Sequence, residues 1–308
     1  MSIDVTVVGC GRWGSKHLLT LAKLREEGLI SRLFACDPNP SEEAKLADGI
    51  ISDSSMVNSH LAIIATPPDT HPELARQLLT RDIHLLVEKP LGGCEAEAAQ
   101  VLSMARESGL LVGVGLLLRF HPAVKLASDQ IAQGSIGSIQ QIQYHRYTKR
   151  QHPKGANAIE TLGVHGIDLA CHLMGESEPS RIEVETSSKS EAKIILEFPH
   201  GIEAIIGVGW GAEEEKRLLT IEGSRGTLII DLGIHDRLEI KSSTGSAILP
   251  CESNTSPLES ELRHMIACVN SHTTGRSIQP IPGAGAALRG VRWTERAIRH
   301  SVLSSQIE

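Results

Sequence analysis

The chain has 308 residues, of which 41% are hydrophobic, and a formal net charge of −7. That length exceeds what one core usually fills, so two domains are expected, and the apolar content excludes wholesale disorder. The acidic balance argues against nucleic acid as a partner, and no apolar run approaches the ~20 residues that span a bilayer, so no membrane role is expected. Met1-Ser2-Ile3-Asp4-Val5 enters a strand-like run directly, without a cationic leader or a cleavable apolar segment, which points to the cytoplasm. The six cysteines (Cys10, Cys36, Cys94, Cys171, Cys251 and Cys268) contain no C-x-x-C pair and fit reduced thiols better than a disulfide framework or a zinc site.

From residue 3 to about 116, short β-branched runs alternate with amphipathic stretches. The runs Ile3–Val8, Ile30–Cys36, Leu61–Ala65, Ile83–Val87 and Leu110–Leu116 predict a parallel, doubly wound α/β sheet. Thr70-His71-Pro72-Glu73 has the spacing of a capping box with proline in the first turn, and Gly28 and Gly109 stand where helices stop. After Leu118 the pattern changes: a helix over His121–Gln133, an alternating strand over Ile139–Tyr147 and a helix over Ile159–Met174. Then Lys193–Phe198, Ile202–Gly207, Leu218–Glu222 and Thr227–Asp231, joined by Gly and Pro turns, predict a largely antiparallel open-faced sheet, and two late helices cover Leu258–Ser271 and Ala284–His300. The expected domains are therefore 1–118, a Rossmann domain, and 119–308, an α+β domain.

The first strand runs into Gly9-Cys10-Gly11-Arg12-Trp13-Gly14, a dinucleotide fingerprint in its proper setting of strand, turn and helix. Gly9 permits the tight turn, Gly11 lets the backbone approach a pyrophosphate, Gly14 lets helix pack on strand, and the helix N-terminus offers free N–H groups to phosphate. Asp37, ending the second strand, is placed to accept hydrogen bonds from a ribose, and it disfavours a 2′-phosphate at about 4 Å by roughly 1–4 kcal/mol per unit charge. NAD is thereby favoured over NADP, although Arg12 offsets part of that repulsion. The alternatives are an ordinary glycine turn and, for Asp37, a plain helix cap.

Ligands of open parallel sheets bind beyond the carboxyl ends of the strands. Two such ends carry Thr66-Pro67-Pro68, stiff beside a nicotinamide ribose, and Glu88-Lys89-Pro90, in which the proline allows a preceding cis bond. A lysine beside an oxidised nicotinamide has a depressed pKa suited to polarising a hydroxyl, with Glu88 tempering the shift; the alternative is a Glu–Lys surface pair. On a helix His165, Asp168 and His172 share one face, an arrangement for a general base oriented by a carboxylate. A metal on that face is disfavoured because hydride transfer needs none, and a core histidine is the remaining alternative. Tyr144-His145-Arg146-Tyr147-Thr148-Lys149-Arg150-Gln151-His152-Pro153-Lys154 gathers Arg146, Lys149, Arg150 and Lys154 on an acidic chain, as a diphosphate would require; a solvated loop or subunit contact is the alternative.

Fingerprint, acid, Glu-Lys-Pro and His-x-x-Asp, in this order, resemble the glucose-fructose oxidoreductase, inositol dehydrogenase and rhizopine-catabolism (Gfo/Idh/MocA) family across essentially the whole chain. The resemblance implies a Rossmann domain followed by an open-faced sheet, oxidation or reduction of sugar-like alcohols with a nicotinamide cofactor, Lys89 as the family's strand-end lysine, and His165 as its general acid or base with Asp168 beside it. Leu118-Arg119-Phe120-His121-Pro122-Ala123-Val124 and Thr161–Leu169 look most similar to the sugar-nucleotide 3-dehydrogenases. That implies UDP-N-acetylglucosamine oxidised at C3, ahead of an aminotransferase. Thr161 and Gly166 depart from the family pattern, which places acids at these positions. The expected cofactor contacts are Gly9, Gly11, Arg12, Trp13, Gly14, Asp37, Thr66, Pro67, His71 and Glu88; the expected substrate contacts are Arg119, His121, Arg146, Lys149 and Arg150. A homo-oligomer is expected from the need to cover a sheet edge or face. A free polyol or inositol as substrate, and a protein that binds NAD without catalysis, are the competing readings.

Overall fold

Strand β1 (Ile3–Val8) is buried along its whole length, as a strand covered on both faces must be. The computed structural model, which describes residues 2–253, 255–275 and 278–304, continues from it through α1 (Arg12–Glu26), β2 (Ile30–Cys36), β3 (Gly49–Ile51), β4 (Leu61–Ile64), α2 (His71–Leu79), β5 (His84–Glu88), α3 (Glu95–Glu107) and β6 (Val112–Gly115). All six strands pair in parallel in the order β3-β2-β1-β4-β5-β6, so the direction of winding reverses between β1 and β4. Helices α1 and α3 stop at glycines with positive φ, Gly28 at 79° and Gly109 at 67°. Beyond each the chain folds back, with Leu29 N–H on the Leu24 carbonyl at 3.0 Å and Leu110 N–H on that of Ala105 at 2.8 Å.

The capping box at Thr70 does not form. A short 3₁₀ turn, Pro68–Thr70, leads straight into α2, so Thr70 already has helical φ and ψ. Its hydroxyl instead donates to the Pro67 carbonyl at 2.7 Å.

The second unit begins with α4 (Pro122–Ala132), β7 (Ile139–Thr148) and α5 (Val164–Leu173), then β8 (Arg181–Ser187), β9 (Glu191–Phe198), β10 (Ile202–Trp210), β11 (Lys216–Gly223), β12 (Gly226–Asp231), β13 (Arg237–Ser242) and β14 (Gly245–Pro250). Its sheet runs β14-β13-β12-β11-β7-β10-β9-β8 and is antiparallel except where β10 lies parallel to β7. Alternation decides the core face: Ala192, Ile194, Leu196 and Phe198 of β9 are buried in one cluster with Ile142 and Tyr144 of β7 and with Ile167 and Ala170 of α5. On the opposite face the ring of Tyr147 lies on β10, where a Cβ on Gly207 or Gly209 would stand 2.6 or 2.8 Å from its atoms. Those two strand glycines make room for an aromatic ring.

Two helices close the chain, α6 (Pro257–Thr273) and α7 (Ala284–Ser304). The expected boundary puts both in the second domain, but the chain divides into Met1–Leu117 with Leu258–Val291, and Leu118–Pro257 with Arg292–Glu308. The cause is apolar: Leu262, Met265, Ile266 and Val269 of α6 share a buried core with Ile3, Leu18, Leu21 and Leu86. No described helix is long and apolar enough to cross a membrane.

Candidate active site

The glycine loop between β1 and α1 shows why each glycine is there. Gly9 takes φ +89°, and a Cβ on it would stand 2.7 Å from the Thr66 nitrogen. A Cβ on Gly14 would stand 1.8 Å from the Gly9 carbonyl oxygen, so helix and turn touch there. Gly11 differs: its φ is an ordinary −70° and a Cβ would meet nothing within 4 Å. No protein atom demands glycine at that position. It leaves open space over the loop backbone at the start of α1, a helix with neither a side-chain cap nor an acid in its first turn. Both features fit a pyrophosphate resting on free N–H groups.

Asp37 binds the loop from the end of β2. Its Oδ2 accepts from Cys10 N–H at 2.7 Å and its Oδ1 from Asn39 N–H at 2.7 Å. Each carboxylate oxygen retains a further lone pair for a ribose hydroxyl. Asp37 does not cap the following 3₁₀ helix, Glu42–Leu46, whose N-cap is Ser41. Burial, and then the Asp37 charge, push the Cys10 thiol up to about 12, so it stays protonated and inert. Arg12 is exposed and Trp13 half-buried, with the Lys16 ammonium 4.4 Å from the centre of the Trp13 ring.

At the ends of β4 and β5, Thr66 and Pro67 are at least partly exposed, and the Lys89–Pro90 bond is cis. Lys89 is half-buried. Two expected cofactor contacts face inward instead. His71 is 1% exposed, with Nδ1 2.8 Å from the Pro90 carbonyl and Nε2 2.9 Å from the Thr66 carbonyl, so it fastens the two strand-end loops to each other. Glu88 is 5% exposed and accepts from His17 Nε2 at 2.9 Å. The signal for His17 is its phase with the buried Gly14, Leu18 and Leu21 of α1.

In the second unit His165 is half-buried in the first turn of α5, and a wider π-type turn, Ile159–Gly163, precedes that helix. The continuous helix expected over Ile159–Met174 is therefore divided. Thr161, in the turn, donates to the Asn157 carbonyl at 2.7 Å and accepts from Trp210 Nε1 at 3.1 Å, a structural use for a residue that departs from the family pattern. Gly166 is also set by packing, since a Cβ there would stand 2.6 Å from Tyr144 Cδ1 and 2.8 Å from Ile206 Cγ2.

Asp168 is buried in the second unit. It is 3% exposed and its two oxygens accept from Arg119, Oδ2 from Nε at 2.8 Å and Oδ1 from Nη2 at 2.7 Å. Arg119 extends the network to Glu176 Oε1 at 2.7 Å, and His172 Nδ1 meets the same oxygen at 2.8 Å. Burial pulls the Arg119 pKa down, but the bonds to Asp168 and Glu176 outweigh it and the net direction is up. Arg119 is thus a buried strut and not a substrate contact. His121 is likewise internal: it is fully buried, caps α4 by accepting from Ala123 N–H at 3.2 Å, and meets His235 edge-on at 4.9 Å. No group of three or more His, Cys, Asp or Glu side chains that could hold a metal ion occurs among the described residues.

Of the basic segment, Lys149, Arg150 and Lys154 are exposed, and the Arg150 guanidinium lies 5.2 Å from the centre of the Trp210 ring. Arg146 is half-buried and donates to Glu215 at 3.1 Å, an acid the sequence reading gave no role. Glu215 also accepts from Thr148 at 2.6 Å and from Lys149 N–H at 3.0 Å.

Residues 3–116 match the Gfo/Idh/MocA oxidoreductase family, NAD-binding Rossmann fold, and residues 124–229 match the Gfo/Idh/MocA C-terminal domain. The chain belongs to the Gfo/Idh/MocA family. Among curated members it is 25% identical over 218 residues to the rhizopine catabolism protein MocA of Rhizobium meliloti, covering 67% of this chain and 68% of that one. It is 27% identical over 238 residues to the scyllo-inositol 2-dehydrogenase (NAD(+)) of Bacillus subtilis, covering 69% and 68%. Among solved structures, the UDP-N-acetylglucosamine 3-dehydrogenase of Acidithiobacillus ferrooxidans shares its fold with a TM-score of 0.79 at 20% identity, over 98% of this chain and 97% of that one. As a Gfo/Idh/MocA protein the chain is an NAD-dependent oxidoreductase of the kind that acts on CH–OH groups. Gly9, Gly11, Gly14 and Asp37 could hold the cofactor.

Proposed function

We propose that the chain oxidises a secondary hydroxyl of a sugar nucleotide, C3 of UDP-N-acetylglucosamine, to the ketone. NAD, when bound, supplies the hydride acceptor. His165 takes the hydroxyl proton as general base, and the Lys89 ammonium stabilises the alkoxide as charge develops on it. The observation that carries the sugar-nucleotide reading is the exposed group Lys149, Arg150 and Lys154 on a chain of net charge −7. A diphosphate meets such cations with charge-assisted hydrogen bonds, whereas a neutral polyol gains little from them. A 3-keto sugar is a ready acceptor for an amino group, so an aminotransferase is the expected consumer of the product. A cytoplasmic homo-oligomer is the expected form of the enzyme.

A free polyol is the second reading, favoured by Arg146, whose charge Glu215 already answers. The two separate when purified protein and NAD are given nucleotide sugars and free polyols, with NADH followed by absorbance and the keto product by mass. Replacing Lys149, Arg150 and Lys154 together by Gln is expected to raise KM for the nucleotide sugar by more than tenfold with kcat little changed. Turnover of free polyols that ignores the triple replacement would transfer the assignment to the second reading. Lys89→Met and His165→Ala are each expected to lower kcat by roughly 10²–10⁴-fold.

A further inference from the structure

The strand ladder of the first unit stops just short of Lys89. Strand β5 pairs with β4 as far as Val87, opposite Ile64, and with β6 as far as Glu88, opposite Gly115, so Lys89 is the first residue that neither ladder includes. Side chains take over on either side of it. Glu88 lies two residues beyond Leu86 and hence on the same face of the sheet, where Leu86 shares a core with Leu18 and Leu21 of α1. On that face His17 Nε2 stands 2.9 Å from Glu88 Oε1. A Cβ on Gly115 would come within 3.1 Å of Glu88 Oε2, so glycine in β6 leaves room for this carboxylate. After Lys89, His71 at the start of α2 has Nδ1 2.8 Å from the Pro90 carbonyl oxygen and Nε2 2.9 Å from that of Thr66.

The chain passes from β1 to β2 and from β4 to β5 in opposite directions along the sheet, so right-handed crossovers put α1 and α2 on opposite faces. One histidine from each helical layer therefore holds the backbone next to Lys89. Both rings are only 1% exposed, which keeps them from touching a substrate. The geometry points to a two-sided clamp: His17 through Glu88, and His71 through the Pro90 carbonyl, are positioning residues that fix the chain before and after Lys89 and so set where its amine stands. A displacement of about 1 Å at such a group can cost on the order of 10²-fold in rate. This inference rests on the reading of Lys89 as the amine that stabilises the alkoxide.

Paired amide replacements test the clamp, because an asparagine nitrogen stands about where Nδ1 does and a glutamine nitrogen about where Nε2 does, each as a donor. His17→Gln keeps the bond to Glu88 and His17→Asn loses it; His71→Asn keeps the bond to Pro90 and His71→Gln loses it. With whichever nucleotide sugar or polyol the enzyme oxidises, kcat is expected to fall about tenfold or more in His17→Asn and His71→Gln. It should fall less than threefold in His17→Gln and His71→Asn, and Kd for NAD by calorimetry should stay within threefold of wild type in all four. In a Lys89→Met background the two damaging replacements should change kcat by less than twofold, since the group they position is gone. Equal losses for Asn and Gln at either position, a loss of NAD affinity as large as that of kcat, or full effects without Lys89 overturn the clamp. Reductive ¹³C-dimethylation of the lysines supplies a readout that needs neither turnover nor the two damaging variants to fold. The Lys89 NMR signal, identified by its absence in Lys89→Met, should keep its position in His17→Gln and His71→Asn and move where the bond is lost; a signal displaced in the two bond-keeping variants overturns the clamp, as does one unmoved in all four. If no alcohol is oxidised, the crossed NMR pattern still establishes the clamp and only the catalytic reading of Lys89 falls.

Discussion

Two arginine–carboxylate pairs in the second unit, Arg119–Asp168 and Arg146–Glu215, have similar chemistry and opposite prospects. The side chains of Arg119 and Asp168 are each 3% exposed, whereas Arg146 is 13% and Glu215 38% exposed. A buried pair cannot exchange a partner, because the abandoned charge has no water to meet; a pair at the surface can give up its carboxylate for an incoming phosphate. The Arg146 pair can therefore exchange its partner, and the Arg119 pair cannot. What separates the two arginines is the solvent behind the carboxylate, which residue type and spacing do not report.

The sharpest way to break this contrast is Asp168→Ala. It leaves a buried guanidinium without its main partner and is expected to cost about 3–5 kcal/mol. Urea unfolding measures it, and a second replacement, Arg119→Met, should recover part of the loss because the stranded charge goes with it. A cost below about 1 kcal/mol would put Asp168 in the same class as Glu215.

Acid distinguishes the buried region from the exposed one by a second route. Burial first and His235 second lower His121 from 6.5 to about 4, and in the first unit burial and His272 do the same to His84. The sign follows from the direction: the unfolded chain binds these protons more readily, so the stability held by the neutral rings is full above about pH 6.5 and is lost as pH falls through about 4. Each histidine accounts for at most about 3.5 kcal/mol, at roughly 1.4 kcal/mol per pH unit. Unfolding measured at both ends of that window should show the loss, and a flat profile would mean that the rings reach solvent.

The parts of this architecture that were legible in sequence are those fixed by local stereochemistry. Strands β1 and β2 are rich in apolar and β-branched residues, broken only by Asp4 and by Ser31 and Arg32, and the glycine loop states its turn in its own residues. Strands β13 and β14 were not legible, because β14 is largely exposed and its edge position leaves no buried alternation to read. The roles of Asp168, His121 and Glu88 were hidden for a different reason: each is set by a partner distant in sequence, Arg119, His235 and His17 respectively. Spacing on one helix puts His165 and Asp168 on a shared face, but Arg119 arrives from 49 residues upstream of Asp168 and takes the carboxylate. The return of α6 to the first unit is equally long-range, since nothing in its amphipathic pattern names the sheet that its apolar stripe will meet.

Gly166→Ala tests the contact that holds α5, and with it Asp168, against the sheet. The added methyl would enter Tyr144 and Ile206, neither of which can swing away from a packed core, so a loss of about 1–3 kcal/mol is expected. Thermal unfolding measures it. An unchanged Tm would show that α5 can lift from the sheet without strain, and the buried pair would then be less rigidly held than its distances indicate.

The smallest effect belongs to Glu215 and tests the other half of the contrast. Hydrogen bonds, the one from Thr148 foremost and then that from Arg146, hold its carboxyl at about 2 against an ordinary 4.5. A depressed carboxylate stabilises the fold fully above the unfolded value and ceases to do so as pH falls through the folded one, so its contribution fades between about pH 4.5 and 2. With more than a third of the side chain in solvent, screening keeps the pair's net worth below about 1 kcal/mol. Glu215→Gln should accordingly leave unfolding at neutral pH almost unchanged while releasing Arg146. On the sugar-nucleotide reading, the freed guanidinium lowers KM for the nucleotide sugar and leaves that for a free polyol alone. A rise in KM for both would mean that Glu215 shapes the loop after β7 for any substrate, and Arg146 would then belong with Arg119 as a strut.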